Sequence, residues 1–155
     1  MNRNIFLFMY PTLFYTLLLL AALTESSVAA SENHVVAGPV EAKLIRVVDG
    51  DTLLVSAAPW PEHNIETYVR LRGIDAPELH AKCEAIRFAA RQARDALSSL
   101  ITAKVALLSI SGDKYYGRVL ADIRLEDGRS VADVLLASGL VEPYDGGRKH
   151  RHPCE

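Results

Sequence analysis

The chain reads as an α+β domain in which a small closed β-barrel carries two packed helices. Two observations predict this. Short strand-like runs dominate both halves of the sequence, separated by Gly, Pro and Asp turns, and helical periodicity appears only twice. The order is three strands, a helix, two strands and a helix, without the regular β-α alternation of a parallel doubly wound sheet.

The first thirty residues differ from the rest. Arg3 is followed by an almost wholly apolar run from Ile5 to Leu23, then by the small residues Ser26-Ser27-Val28-Ala29-Ala30. This is the pattern of a signal peptide over residues 1–30, cut after Ala29 or Ala30, and it directs the protein to the periplasm or the medium. The apolar run is near the minimum length for a membrane span, so an uncleaved N-terminal anchor is the alternative. After cleavage no stable membrane association is expected. Residues 31–41 read as a flexible leader, 42–144 as the folded domain and 145–155 as a basic tail containing Arg148-Lys149-His150-Arg151-His152.

Within the domain, Lys43 to Val48 and Leu53 to Val55 flank Asp49-Gly50 and predict a hairpin. Pro59-Trp60-Pro61 reads as a loop. Ile65 to Ile74 predicts a third strand, with Val69 and Leu71 alternating against Arg70 and Arg72 until Pro77 ends it. From Lys82 to Leu100 the period changes. Ile86, Ala90, Ala93, Leu97 and Leu100 recur on one helical face. Arg87, Arg91 and Arg94 form a neighbouring stripe, read first as a solvated face. Ala103 to Ile110 and Arg118 to Leu125 supply two more strands, joined through Ser111-Gly112-Asp113. Ser130 is placed to cap a short helix that Gly139 terminates. Five strands of this length close most readily as an antiparallel barrel of the oligonucleotide-binding (OB) type, which leaves no exposed edge.

Composition narrows the function. The formal net charge is −2, and it stays −2 in the mature part because Arg3 and Glu25 cancel. That balance disfavours a protein that coats nucleic acid electrostatically, but not one that holds a phosphate in a local positive cleft. The chain has 2 cysteines, Cys83 and Cys154. In an oxidising compartment they are expected to pair and pin the tail; two unrelated thiols are the alternative.

Against this background, four charged patches stand out: Asp49-Gly50-Asp51-Thr52, Arg70, Asp75-Ala76-Pro77-Glu78 and Tyr116-Gly117-Arg118. Each alone has an ordinary structural reading, as a turn, a strand end or a loop. Together they offer hard oxygen ligands for Ca²⁺ or Mg²⁺, guanidinium forks for phosphate, and a spare carboxylate to deprotonate water. This is the equipment for metal-assisted hydrolysis of a phosphodiester. No serine sits in a nucleophile-elbow pattern, so nothing supports a covalent route.

The ordered set Val47-Val48-Asp49-Gly50-Asp51-Thr52, Arg70-Leu71 with Asp75-Ala76-Pro77-Glu78, and Tyr116-Gly117-Arg118 resembles the staphylococcal-nuclease (thermonuclease) family, as does the segment Ala137-Ser138-Gly139-Leu140-Val141. The resemblance implies that Asp51, Asp75 and the carbonyl of Ala76 ligate Ca²⁺, with Asp49 nearby. It implies Glu78 as general base toward the attacking water, and Arg70 and Arg118 as the clamp on the scissile phosphate. The implied activity is Ca²⁺-dependent endonucleolytic cleavage of DNA and RNA that leaves 3′-phosphate ends, by a monomer. Two departures bear on the site: Ala76 replaces the family's usual threonine, and Asp113 to Arg118 holds one tyrosine more than the common spacing. The competing function is a catalytically silent module of the same fold that binds nucleic acid or protein.

Overall fold

The structure, a computed structural model, describes residues 34–101 and 103–149. Its elements in chain order are strands β1 (Val40–Asp49), β2 (Thr52–Trp60), β3 (His63–Leu71) and β4 (Ile74–Asp75), helix α1 (Glu84–Leu100), strands β5 (Lys104–Gly112) and β6 (Arg118–Arg124), helix α2 (Val131–Ala137) and strand β7 (Glu142–Pro143). The signal segment, the residues Ser31 to Asn33 of the leader, and Cys154 of the expected disulfide lie outside the described residues. Among the described residues no helix is long and apolar enough to cross a membrane.

The barrel closes in the order β1-β2-β3-β6-β5, with β5 returning to β1. The predicted α+β barrel with two helices is therefore present. It is mixed rather than antiparallel, because β3 and β6 run parallel. Two further details differ from the expected pattern. β2 continues through Pro59 and Trp60, read from sequence as a loop; the strand tolerates Pro59 because the register slips between Ala57 and Trp60, where no ladder N–H is required. β4 and β7 form a separate two-stranded sheet. The stretch expected as a leader contributes Val40 and Glu41 to β1, and Val36 exchanges both backbone hydrogen bonds with Ile110 at 2.8 Å.

The core follows from strand alternation. Leu53 and Val55 of β2, Val69 and Leu71 of β3, Ala121 and Ile123 of β6, and Val105 and Leu107 of β5 are buried. Ala93 and Leu97 of α1 and Val131 and Leu135 of α2 join the same cluster. Each large aliphatic side chain withdrawn from water in this way contributes about 2 kcal/mol. The arginine stripe of α1 is a solvated face: Arg87 and Arg91 both pair with Glu84, and Arg94 pairs with Asp95. Ser130 caps α2 as expected, its Oγ accepting from the Asp133 amide at 3.3 Å, and Gly139 follows with φ of 70°.

Alternation also fixes what points outward. Because Val69 and Leu71 face the core, Tyr68 and Arg70 project from the outer wall of β3. The parallel register pairs Tyr68 with Arg118 and Arg70 with Leu120, so the two arginines leave the barrel on one face. Arg72 braces that wall: its Nη2 donates to the Ser109 carbonyl at 2.6 Å, Ser111 Oγ at 3.1 Å and the Leu120 carbonyl at 3.2 Å. These bonds span a bulge in β5 where Ser109 takes φ of 50°.

Candidate active site

The β1–β2 hairpin turns on Gly50 and Asp51, with Asp49 opposite Thr52. The turn packs tightly against the domain. A Cβ on Gly50 would fall 2.7 Å from the Cβ atoms of both Ala76 and Ala93, so only glycine fits. This close approach seats Asp51 in the interior at 3% exposure. Its Oδ1 accepts from Arg70 at 2.6 Å and from the Thr52 hydroxyl at 2.9 Å, and its Oδ2 accepts from the Ala76 amide at 2.9 Å. Asp49 Oδ1 accepts from the Asp51 amide at 3.1 Å and so braces the turn.

Arg70 is the hub. The second arm of its fork donates to Asp75 Oδ1 at 2.7 Å and to the Ile74 carbonyl at 3.3 Å. One guanidinium therefore bridges the two carboxylates expected to ligate metal. Burial raises the Asp51 carboxyl above its ordinary range; Arg70 opposes this, Asp49 adds to it, and the Ala76 amide and Thr52 hydroxyl oppose it. Burial works to lower the Arg70 guanidinium, but Asp51 and Asp75 outweigh it and the net direction is up. The two partners thus differ: their mutual contact favours the charged Arg70, whereas burial works against the charged form of Asp51.

Arg118 stands at the start of β6 in the same cleft but joins a different pair. Its Nε donates to Asp113, and its guanidinium carbon lies 4.7 Å from the centre of the Tyr115 ring. Glu78 is exposed to solvent. Its carboxylate receives the ammonium of Lys149 at 2.7 Å, and the same ammonium lies 2.9 Å from Asp75. Asp49, Asp51, Arg70, Ala76, Glu78, Arg118, Tyr144 and Lys149 all help line one open cleft of about 1400 Å³. Of the six predicted positions, Asp51, Arg70, Ala76, Glu78 and Arg118 line this cleft, and Asp75 joins them through Arg70. Asp113, Lys149 and Tyr144 complete the surroundings. Tyr144 lies beneath the Arg70 guanidinium, 5.9 Å from ring centre to carbon.

The donors fit a hard divalent cation. Asp51 and Asp75 are carboxylates held close by a common partner, and both attract positive charge. Among the described residues no three acidic, histidine or cysteine side chains close into a ready-made metal cage. Two carboxylates and the Ala76 carbonyl would leave the remaining positions to water and phosphate, a division suited to oxygen-seeking Ca²⁺ or Mg²⁺.

A closed mixed barrel carrying two helices, with Arg70 and Arg118 lining one cleft, is an OB-like α+β scaffold. The family model of staphylococcal nuclease homologues matches residues 68–153, and the chain belongs to that family. The match includes Arg70, Asp75, Ala76, Glu78 and Arg118; the Asp51 hairpin precedes it. Two proteins described as uncharacterized endonucleases, from Escherichia coli and Escherichia coli O157:H7, are each 26% identical over 111 residues. The aligned stretch covers 72% of this chain and 65% of each relative, so the chain spans just under two thirds of their length.

Proposed function

We propose that this chain is an exported, Ca²⁺-dependent endonuclease that hydrolyses phosphodiester bonds in DNA and RNA. The observation that carries the reading is the Arg70 fork, which holds Asp51 and Asp75 together on the same cleft that Glu78 and Arg118 line. Family membership and the endonuclease descriptions of the relatives support it.

When bound, Ca²⁺ supplies Lewis acidity toward a non-bridging phosphate oxygen. Asp51, Asp75 and the Ala76 carbonyl would hold it. Glu78 takes a proton from the attacking water, whose oxygen forms the new bond to phosphorus. The bond to the 5′ oxygen breaks and that oxygen takes a proton from solvent, leaving a 3′-phosphate and a 5′-hydroxyl. Arg118 and Arg70 balance the charge that grows on the non-bridging oxygens, where donors act without reorganising at the moment of reaction. Arg70 is bound to Asp51 and Asp75 and Arg118 to Asp113, so both forks are held at the cleft by carboxylates.

Nicking of supercoiled plasmid, with Ca²⁺ and with chelator, tests the reading. Cleavage that requires Ca²⁺ is expected. Plasmid retardation without cleavage would instead identify a silent binding module.

A further inference from the structure

The ammonium of Lys149 sits where a cation is wanted. It contacts Asp75 at 2.9 Å and Glu78 at 2.7 Å, one expected to ligate metal and the other to accept a proton. The path of the chain explains how a residue so late in the sequence arrives there. β7 pairs with β4, setting Glu142 opposite Asp75. The Tyr144 amide then donates to the Gly73 carbonyl at 2.9 Å. Gly146 and Gly147 follow with φ of 97° and 91°, values that L side chains rarely adopt, and they reverse the chain. The Tyr144 hydroxyl donates to the Gly147 carbonyl at 2.8 Å and fastens the reversal. Lys149 is thereby folded back onto the carboxylates, half-buried, while Arg148 beside it is exposed.

We propose that residues 144–149 form a strap whose Lys149 acts as an internal counter-cation, competing with the divalent metal for Asp75 and Glu78. The proposal rests on the cation-site reading above. The Lys149 ammonium already shares Asp75 Oδ1 with the Arg70 guanidinium, and a divalent cation drawn to Asp75 would add a third positive charge beside one carboxylate, which favours release of the solvent-accessible ammonium. In the latched arrangement Lys149 pairs with Asp75 and Glu78, and metal loading lifts the strap and leaves the Glu78 carboxylate unpaired to accept a proton. A ligand that must first displace a competing contact binds with an apparent Kd equal to the intrinsic Kd divided by the fraction unlatched.

Calorimetric titration of the folded protein with Ca²⁺ tests this directly, with Lys149→Met, which keeps the aliphatic stem and removes the charge. A half-exposed ion pair corresponds to an apparent Kd tighter by about five-fold in the variant. Arg148→Met removes the same charge one residue away from the contact and is expected to leave the Kd at the wild-type value. Gly147→Ala strains the reversal while keeping Lys149, and is expected to tighten the Kd in the same direction. A second readout is cleavage after Lys149 by a lysine-specific endoproteinase, which Ca²⁺ should accelerate in the wild type. If Lys149→Met binds Ca²⁺ no tighter than wild type, or if Arg148→Met tightens equally, the latch is wrong and the cation site stands. If the wild type shows no Ca²⁺ binding, the cation site and the latch fall together.

Discussion

Replacing Arg70 with methionine isolates what holds the acidic hairpin in place. Methionine keeps most of the aliphatic stem but removes a fork that contacts Asp51 at 2.6 Å and Asp75 at 2.7 Å. The side chains are little exposed, at 11% for Arg70, 4% for Asp51 and 16% for Asp75. Removing one partner of a buried ion pair costs about 3–5 kcal/mol, because the other charge is left uncompensated. Asp51 keeps its bonds from Thr52 and the Ala76 amide and Asp75 keeps Lys149, so the lower end applies, about 3 kcal/mol. For a domain of this size that corresponds to a fall in melting temperature of about 12 °C. Urea unfolding followed by far-ultraviolet circular dichroism, in chelator, measures it. Asp51→Asn placed in the Arg70→Met background should recover part of the loss, since it removes the stranded charge. Saturating Ca²⁺ should recover more, about 2.7 kcal/mol at a hundred times Kd. An Arg70→Met protein as stable as wild type in chelator would show that the fork does not hold the hairpin.

Gly50→Ala should cost about 2 kcal/mol in the same unfolding assay, because the added methyl meets two Cβ atoms that cannot rotate away; unchanged stability would refute the packing. Arg118→Ala should lower the rate of plasmid cleavage by about 10²-fold or more while leaving calorimetric Ca²⁺ affinity intact, and wild-type turnover would remove Arg118 from the chemistry. The exported protein is expected to have lost about thirty residues by intact mass, whereas a full-length species released only by detergent would favour an anchor. Non-reducing peptide mapping of that material should recover a Cys83–Cys154 pair, closing a loop of about seventy residues; two freely alkylated thiols would contradict it.

Much of the barrel was legible because its signals are local. Val69 and Leu71 alternating with Arg70 mark β3, and Ala90, Ala93 and Leu97 mark the buried face of α1. Ser130 and Gly139 bracket α2 by hydrogen bonding and backbone preference. What escaped has no local pattern. The parallel pairing of β3 with β6 joins residues about fifty positions apart and depends on the order in which strands meet. β4 and β7 are two residues each, too short for any period to show. The turn also falls on Gly50 and Asp51 rather than Asp49 and Gly50, and the glycine is required by packing against Ala76 and Ala93 rather than by a positive φ.

The site divides the same way. Its charged residues are conspicuous because carboxylates and arginines interrupt apolar strands. Their partners are not. Asp113 reads as an ordinary turn residue, yet it holds Arg118. Lys149 reads as part of a basic tail, yet it reaches Asp75 and Glu78 through a glycine reversal. The two neighbouring glycines, Gly146 and Gly147, were the signal that this segment turns back.

The central claim is that Asp51 and Asp75 hold the cation on which cleavage depends. Calorimetric Ca²⁺ titration and plasmid-nicking rate, measured in one buffer on the wild type and on Asp51→Asn, test it most directly. The predicted result is a wild-type nicking rate that rises with Ca²⁺ along the calorimetric saturation curve, and an Asp51→Asn protein that loses metal binding and cleavage together. Cleavage that persists in chelator, or an Asp51→Asn variant that binds Ca²⁺ and cuts like wild type, would contradict it.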